Sequence, residues 1–352
     1  MSEPASPKHR FVLFHNGGVG DFLMFIFLAQ QLWKSGAASH ILIIVPRMGK
    51  FLQGFLAQYP YLSLVETSLR HPLGLWNLLS AAGTSTTVII HPTIGRIPMR
   101  LKLFAWLITR ARGSRLIGFQ DQGLFCQMLY THVVAYNTNQ LYSDTMRDVA
   151  RLAVGVADEA PPRLKFMPHP QVKERFGLVD TQYVVFHPGA GMSGRKRAFE
   201  TGAAVEIIQY ILKRYPRLSL ILSGGSDERS EVERIAAAVG NPRVTPAIST
   251  SAGELATLIQ GSRFYIGGDT GPTHLACFLG ARVIEVAHRA TAHWLAFYHP
   301  GATVLYRLVG EEKVHTDAEY FKRHAPGVLR PFGEVPAAAV CEAIERELSH
   351  EV

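Results

Sequence analysis

Short runs of apolar and β-branched residues recur along the chain, each followed by a glycine-bearing or polar turn and then by a stretch with helical spacing. Apolar runs of roughly four to eight residues bounded by turn residues mark strands buried on both faces, and their alternation with helices predicts parallel-sheet α/β units. In the first half the pattern predicts strands over Phe11–Phe14, Ile41–Val45 and Thr87–His91. In the second it predicts strands over Tyr183–His187, Leu218–Ser223, Arg263–Gly267 and Arg282–Val286, with helices over Phe199–Tyr215, Asp227–Val239 and Ala252–Gln260. A last helix spans Ala337–Leu348, with Ala338, Cys341, Ile344 and Leu348 on one face.

At 352 residues and roughly 150 per domain, the chain predicts two domains. Residues 159–170 carry four prolines, which remove backbone donors and resist both helix and central strand, so the linker belongs there. We take 1–165 as an N-terminal Rossmann-like domain, 175–335 as a second, and 336–352 as a C-terminal helix free to pack back on the first.

Composition adds two constraints. With 47% hydrophobic and 18% charged residues the chain folds rather than staying disordered. Three separated cysteines offer no disulfide framework, and neither a signal-peptide apolar region nor a membrane-length apolar run is present, so a cytoplasmic location is expected. The net charge of +8 is uneven: residues 67–120 hold seven Lys/Arg and no Asp/Glu, whereas residues 170–352 hold twenty of each.

Four loops are candidates for chemistry. His15–Phe22 follows the first strand, with Gly17, Gly18 and Gly20 exposing amides and Asp21 at a helix start, where it is either a cap or a catalytic carboxylate. Phe186–Glu200 holds His187, Gly189, Gly191 and Gly194 followed by Arg195, Lys196 and Arg197. The glycine spacing invites a dinucleotide reading, but the cations intervene before the helix and the next strand lacks the acid that would hold a ribose. Such a loop suits a diphosphate better, unless it is a solvated basic turn. Ser223–Glu231 places Gly224, Asp227 and Glu228 after a strand, where either acid can accept from ribose hydroxyls or cap the next helix. Tyr265–Gly280 carries Asp269, Thr270, Gly271, Pro272, Thr273 and His274 at a strand-to-helix junction. A helix starting there directs free amides outward and, with its dipole, binds phosphate; His274 is either a ligand contact or a core histidine. No Asp-x-Asp pair, P-loop, nucleophile elbow or H-E-x-x-H motif is present, which argues against NTPase and serine-hydrolase chemistry and for a leaving-group site without a metal.

This ordered set of a G-G-x-G-D loop, H-P-G with a basic cluster, a G-G acidic loop and D-T-G-P-T-H-L-A resembles glycosyltransferase family 9, the bacterial heptosyltransferases, from about Phe11 to about Pro300. The resemblance implies a GT-B fold, with two Rossmann-like domains facing each other across a cleft, the acceptor in the first and the donor in the second. It implies inverting, metal-independent transfer of heptose from ADP-heptose to a lipopolysaccharide core-type acceptor. Asp21 then matches the general base, Lys196 the phosphate-binding lysine, Asp269, Thr270 and Gly271 the phosphate loop, and Glu228 or Asp227 the ribose acid. The chain departs from the family with His15 in place of an early arginine, Ile26-Phe27 in place of Thr-Pro, Phe199 as the aromatic after the lysine, and a histidine-rich Ala287–Pro300.

The basic stretch gains a role in that setting. Arg96, Arg100, Lys102, Arg110, Arg112 and Arg115 interleave with Leu103, Phe104, Trp106 and Leu107, a pattern for a helix resting on an anionic bilayer or meeting a lipid-linked glycan, or else for solvated arginines over a packed face. The expected partners are a nucleotide-sugar donor as substrate, no separate cofactor, a lipid-linked glycan acceptor and peripheral contact with the inner face of the inner membrane. Nucleic acid is not expected. The rivals are another nucleotide-sugar enzyme of the same fold, including an epimerase, and a non-catalytic sugar-nucleotide or glycan binding protein; an NAD-dependent enzyme stands behind these.

Overall fold

The structure is a computed structural model of the 352-residue chain. It describes residues 9–15, 18–45, 56, 58–66, 86–90, 99–111, 113–120, 128–135, 137, 139–190, 198–288, 293–324 and 332–349.

The chain divides into two compact units, one of residues 1–137 and 142–160, the other of 138–141 and 161–352. In the first, six strands, β1 (His9–Phe14), β2 (Ala38–Val45), β3 (Leu62–Glu66), β4 (Thr86–Ile90), β5 (Arg115–Phe119) and β6 (His132–Val134), form a parallel sheet in the order β3-β2-β1-β4-β5-β6. Helices α1 (Val19–Lys34), α2 (Met99–Ala111) and α3 (Tyr142–Val154) accompany it. From Phe22 to Ala29 helix α1 is apolar around its whole circumference and every residue is buried, because it packs on α3 as well as facing the sheet.

The second unit repeats the plan. Strands β7 (Tyr183–His187), β8 (Ser219–Gly224), β9 (Val244–Ile248), β10 (Tyr265–Gly268), β11 (Val283–Ala287) and β12 (Ala302–Tyr306) run parallel in the order β12-β11-β10-β7-β8-β9. Counted from the first strand of each unit, both sheets have the doubly wound order 3-2-1-4-5-6. Helices α4 (Thr201–Arg214), α5 (Arg229–Val239), α6 (Ala252–Gln260), α7 (Gly271–Leu279) and α8 (Ala337–Ser349) belong to this unit. The C-terminal helix, which the sequence leaves free to pack back on the first domain, lies in the second unit. Val340, Cys341 and Ile344 of α8 enter the same core as Ile208 and Ile211 of α4 and Ile284 of β11.

The proline-rich segment is ordered rather than slack. Arg147 of α3 donates to the carbonyls of Asp158, Glu159 and Ala160. Beyond Pro161 the Leu164 amide bonds the Phe278 carbonyl, and the His169 amide bonds Thr257 Oγ1. Among the described residues no helix is long and apolar enough to cross a membrane.

Candidate active site

In a doubly wound sheet, ligands bind beyond the carboxyl ends of the strands where the winding reverses. In the second unit that point lies between β7 and β10, which pair with Gly267 beside His187. Three loops gather at this edge: His187–Gly189 after β7, Ser223–Glu228 after β8, and Gly268–Thr273 after β10.

The most constrained of these is the seat of Glu228. Residues Ser226–Glu228 form a single 3₁₀ turn after β8, which brings the Glu228 carboxylate back to accept the Gly225 amide at 2.6 Å. The side chain is buried, with Oε2 3.6 Å from His187 Nε2. On its other side a Cβ at Gly189 would overlap Oε1 and Cδ of Glu228, so the loop after β7 needs glycine there. Gly224 is held likewise, since a Cβ would lie 2.6 Å from Val232 Cγ2. Asp227, the other candidate ribose acid, is exposed at the turn.

His187 itself is buried behind Glu228, with Nδ1 3.1 Å from Ser223 Oγ. Burial lowers its imidazole pKa and the Glu228 charge acts in the opposite sense, the net direction being downward. Beside this seat opens a cavity of about 670 Å³ lined by Gly189, Phe199, Thr201, Glu228, Glu231 and Arg234, among others. Phe199 is drawn into it because its amide bonds the Pro188 carbonyl at 2.9 Å. At the rim Thr201 donates to Glu231 at 2.6 Å, while Arg234 bonds both Thr201 and Glu231. Thr201 and Arg234 carry no motif, so sequence reasoning passes over them, and Glu231 only closes the Ser223–Glu231 loop.

The third loop builds the helix end. Asp269 and Thr270 follow β10, Thr270 is the N-cap of α7 in extended conformation, and Pro272 occupies the first turn, where its missing N–H costs nothing. Thr273 Oγ1 donates back to the Gly268 carbonyl at 2.5 Å, tying the turn to the strand. His274 is buried, its Nδ1 2.8 Å from the Tyr298 hydroxyl and its Nε2 3.6 Å from Asp269 Oδ1.

The histidine-rich segment divides into separate environments. His293 is fully buried and bonds the Gln140 carbonyl at 2.8 Å, and His299 bonds the Ala281 carbonyl at 2.8 Å, so both hold the framework. His288, at the end of β11, sits edge-on to Phe199 with ring centroids 5.0 Å apart. Burial pushes its pKa down to about 4.

In the first unit, Gly18 is the N-cap of α1, and Asp21 Oδ2 accepts the Gly18 amide at 2.7 Å. The capping role anticipated for Asp21 is therefore present; Gly20 is buried in the first turn. His15 lies buried, edge-on to Phe22 and Phe25. In the basic stretch, α2 presents Leu103 and Leu107 to solvent at 39% and 54% exposure, with Arg110 also exposed. Arg115 does not belong to that surface: its guanidinium donates to the Leu152 and Ala153 carbonyls, closing the C-terminal end of α3. Arg96, Arg112, Arg195 and Lys196 lie outside the described residues, as do the side chains of Arg100 and Lys102.

Comparison with known proteins matches these loops to one family. The sequence profile of glycosyltransferase family 9 (heptosyltransferase) matches residues 101–296, a span that takes in all three loops of the second unit but not the Asp21 loop. No curated protein matches the chain in sequence. A glycosyl transferase of family 9 from Veillonella parvula has a similar structure, with a TM-score of 0.74 at 17% identity, covering 99% of this chain and 100% of that one. The E. coli ADP-heptose lps heptosyltransferase II gives 0.70 at 15% identity, covering 97% and 99%. E. coli heptosyltransferase WaaC, solved with ADP, gives 0.64 at 16% identity, covering 96% and 99%. At these identities the structural likeness establishes the fold, that of GT-B glycosyltransferases. With more than half of its length matched by the family profile, the chain belongs to glycosyltransferase family 9 and is a heptosyltransferase-like glycosyltransferase.

Proposed function

We propose that this glycosyltransferase moves heptose from ADP-heptose to a lipopolysaccharide core-type acceptor, with inversion and without a metal ion. The observation that carries the reading is the buried Glu228 carboxylate, pinned by Gly225 and sterically matched to Gly189, at the edge of a 670 Å³ cavity on the same sheet edge as the α7 N-terminus. A carboxylate is an acceptor only, with about four lone-pair sites on its two oxygens, which suits it to ribose hydroxyls. The free amides at the start of α7, from Gly271 and Thr273, suit the diphosphate, with Lys196 and Arg195 supplying positive charge. Structures of WaaC with ADP and with an ADP-2-deoxy-2-fluoro heptose show that a protein of this fold holds such nucleotides.

In the proposed reaction an acceptor hydroxyl oxygen attacks the anomeric carbon as the bond from that carbon to the diphosphate oxygen breaks. Asp21 takes the hydroxyl proton, and the departing ADP carries away the electron pair of the broken bond. Charge growing on the leaving diphosphate is met by Lys196 and the α7 amides, where electrostatic stabilisation counts most. Leu103, Leu107 and the flanking cations of α2 dock on the anionic membrane that carries the acceptor.

Two measurements test this. A thermal-shift screen of nucleoside diphosphates and nucleotide sugars should single out ADP and ADP-heptose. Release of ADP from ADP-heptose should depend on added acceptor. Binding without acceptor-dependent release would favour a non-catalytic binding protein, and a preference for another nucleotide would reassign the donor.

A further inference from the structure

We infer that Tyr298 is a positioning residue of the donor site, acting through His274 on the Asp269 carboxylate. The inference rests on the Asp269 loop being the diphosphate-binding element, as proposed above. It starts from β11, where the fully buried Glu285 accepts the Ala296 amide at 2.7 Å and fixes the 3₁₀ turn Ala296–Tyr298. That turn delivers the Tyr298 hydroxyl to 2.8 Å from His274 Nδ1. The two rings are nearly parallel, 13° apart, and Phe278 meets Tyr298 edge-on. Burial keeps the phenol protonated, and the Cys277 thiol is its second hydrogen-bonding neighbour.

The opposite edge of the imidazole faces Asp269 Oδ1 at 3.6 Å. That separation is longer than a hydrogen bond, and contacts of this kind tighten when substrate binds. An Nε2 lone pair aimed at a carboxylate oxygen would be repelled, so Nε2 carries the proton and Nδ1 accepts from the phenol. The partner on one ring nitrogen thus sets the tautomer presented by the other. Asp269 directly precedes Thr270, the N-cap of α7. A carboxylate beside the amides that receive the diphosphate repels that ligand, and an Nε2–H facing it offsets the repulsion. Tyr298 therefore favours phosphate binding without touching phosphate.

The test compares the wild-type protein with Tyr298→Phe, His274→Gln and the double variant, each measured by calorimetry with ADP and with adenosine. The ¹⁵N shifts of His274, assigned by subtracting the His274→Gln spectrum, report its tautomer. Wild-type His274 should be the Nε2–H form, and Tyr298→Phe should mix the two forms. Tyr298→Phe should weaken ADP about fivefold, the value of one hydrogen bond between uncharged groups, and leave adenosine affinity unchanged. A glutamine at 274 offers an N–H with no tautomer to set, so adding Tyr298→Phe to His274→Gln should change nothing further.

An unchanged tautomer and ADP affinity in Tyr298→Phe, equal losses for ADP and adenosine, or additive effects in the double variant would each overturn the inference. Should Tyr298→Phe fail to fold, an Nδ1–H tautomer in the wild-type protein would overturn it alone. If the wild-type protein binds no nucleoside diphosphate, it is the proposed function that fails, and the tautomer measurement still shows whether the relay exists.

Discussion

Replacing Gly189 with alanine tests the seat of Glu228 directly. The added methyl would overlap Glu228 Oε1 and Cδ, so the carboxylate, bonded to the Gly225 amide at 2.6 Å, would have to shift toward the adjoining cavity. The least disruptive response breaks that bond, whose acceptor is charged, at a cost of about 2 kcal/mol. Urea unfolding should register a loss of that size. A displaced Glu228 also no longer meets the ribose, so ADP affinity by calorimetry should fall about thirtyfold, the equivalent of the same free energy. The control is the same substitution in a Glu228→Ala background, where no carboxylate remains to be displaced and Gly189→Ala should be nearly silent. If Gly189→Ala leaves ADP affinity unchanged, or lowers it equally with and without Glu228, the carboxylate is not what the methyl disturbs and the reasoning fails.

Asp21→Asn keeps a capping acceptor for the Gly18 amide but removes the base; turnover should drop by about a hundredfold or more while the melting temperature holds, and near-normal turnover would leave Asp21 as a cap alone. Lys196→Ala should weaken ADP binding by calorimetry, and an unchanged affinity would remove it from the phosphate site. His288 is pushed down from 6.5 to about 4 in the folded protein. The unfolded chain therefore binds a proton that the native state refuses between those pH values, and stability present above pH 6.5 declines by up to about 3 kcal/mol as pH falls toward 4. Urea unfolding at pH 7 and pH 4.5 should show His288→Gln losing less than wild type; equal losses would assign the acid sensitivity elsewhere, His187 being a second buried histidine shifted the same way. Neutralising Arg96, Arg100, Lys102, Arg110 and Arg112 together should reduce sedimentation with anionic vesicles and spare ADP binding, and unaltered sedimentation would leave those residues as solvated charge.

The strands legible in the sequence are mostly those buried on both faces, where an apolar run is obligatory. Of the five strands it did not disclose, β3, β6, β9 and β12 are the four sheet edges. An edge strand needs only one neighbour, so Val244–Ile248 tolerates Pro246, and His132–Val134 needs only three residues. The fifth, β5, opens on Arg115, whose charge masks a strand that is otherwise buried. Within the site, the loops were legible because glycines, acids and a helix start fall together in sequence. Glu228 was separable from Asp227 only once the 3₁₀ turn buried one and exposed the other. Tyr298, Ser223 and Arg234 have no local signature; they join the site through contacts spanning twenty-four residues for Tyr298 with His274, thirty-six for Ser223 with His187 and thirty-three for Arg234 with Thr201. The histidine-rich segment stands out in the sequence as a departure from the family, yet two of its histidines bond backbone carbonyls.

The four residues Thr138–Leu141 belong to the second unit although sequence on both sides of them belongs to the first. They supply the Gln140 carbonyl to the buried His293 ring. No single cut therefore yields two intact modules. A C-terminal half begun at Pro161 would leave part of its own framework behind on the discarded piece, and a chimera that swaps donor halves between relatives at the proline-rich junction would pair His293 with a foreign segment. Exchange of whole halves, by an engineer or by recombination, must carry residues 138–141 along with the half they serve.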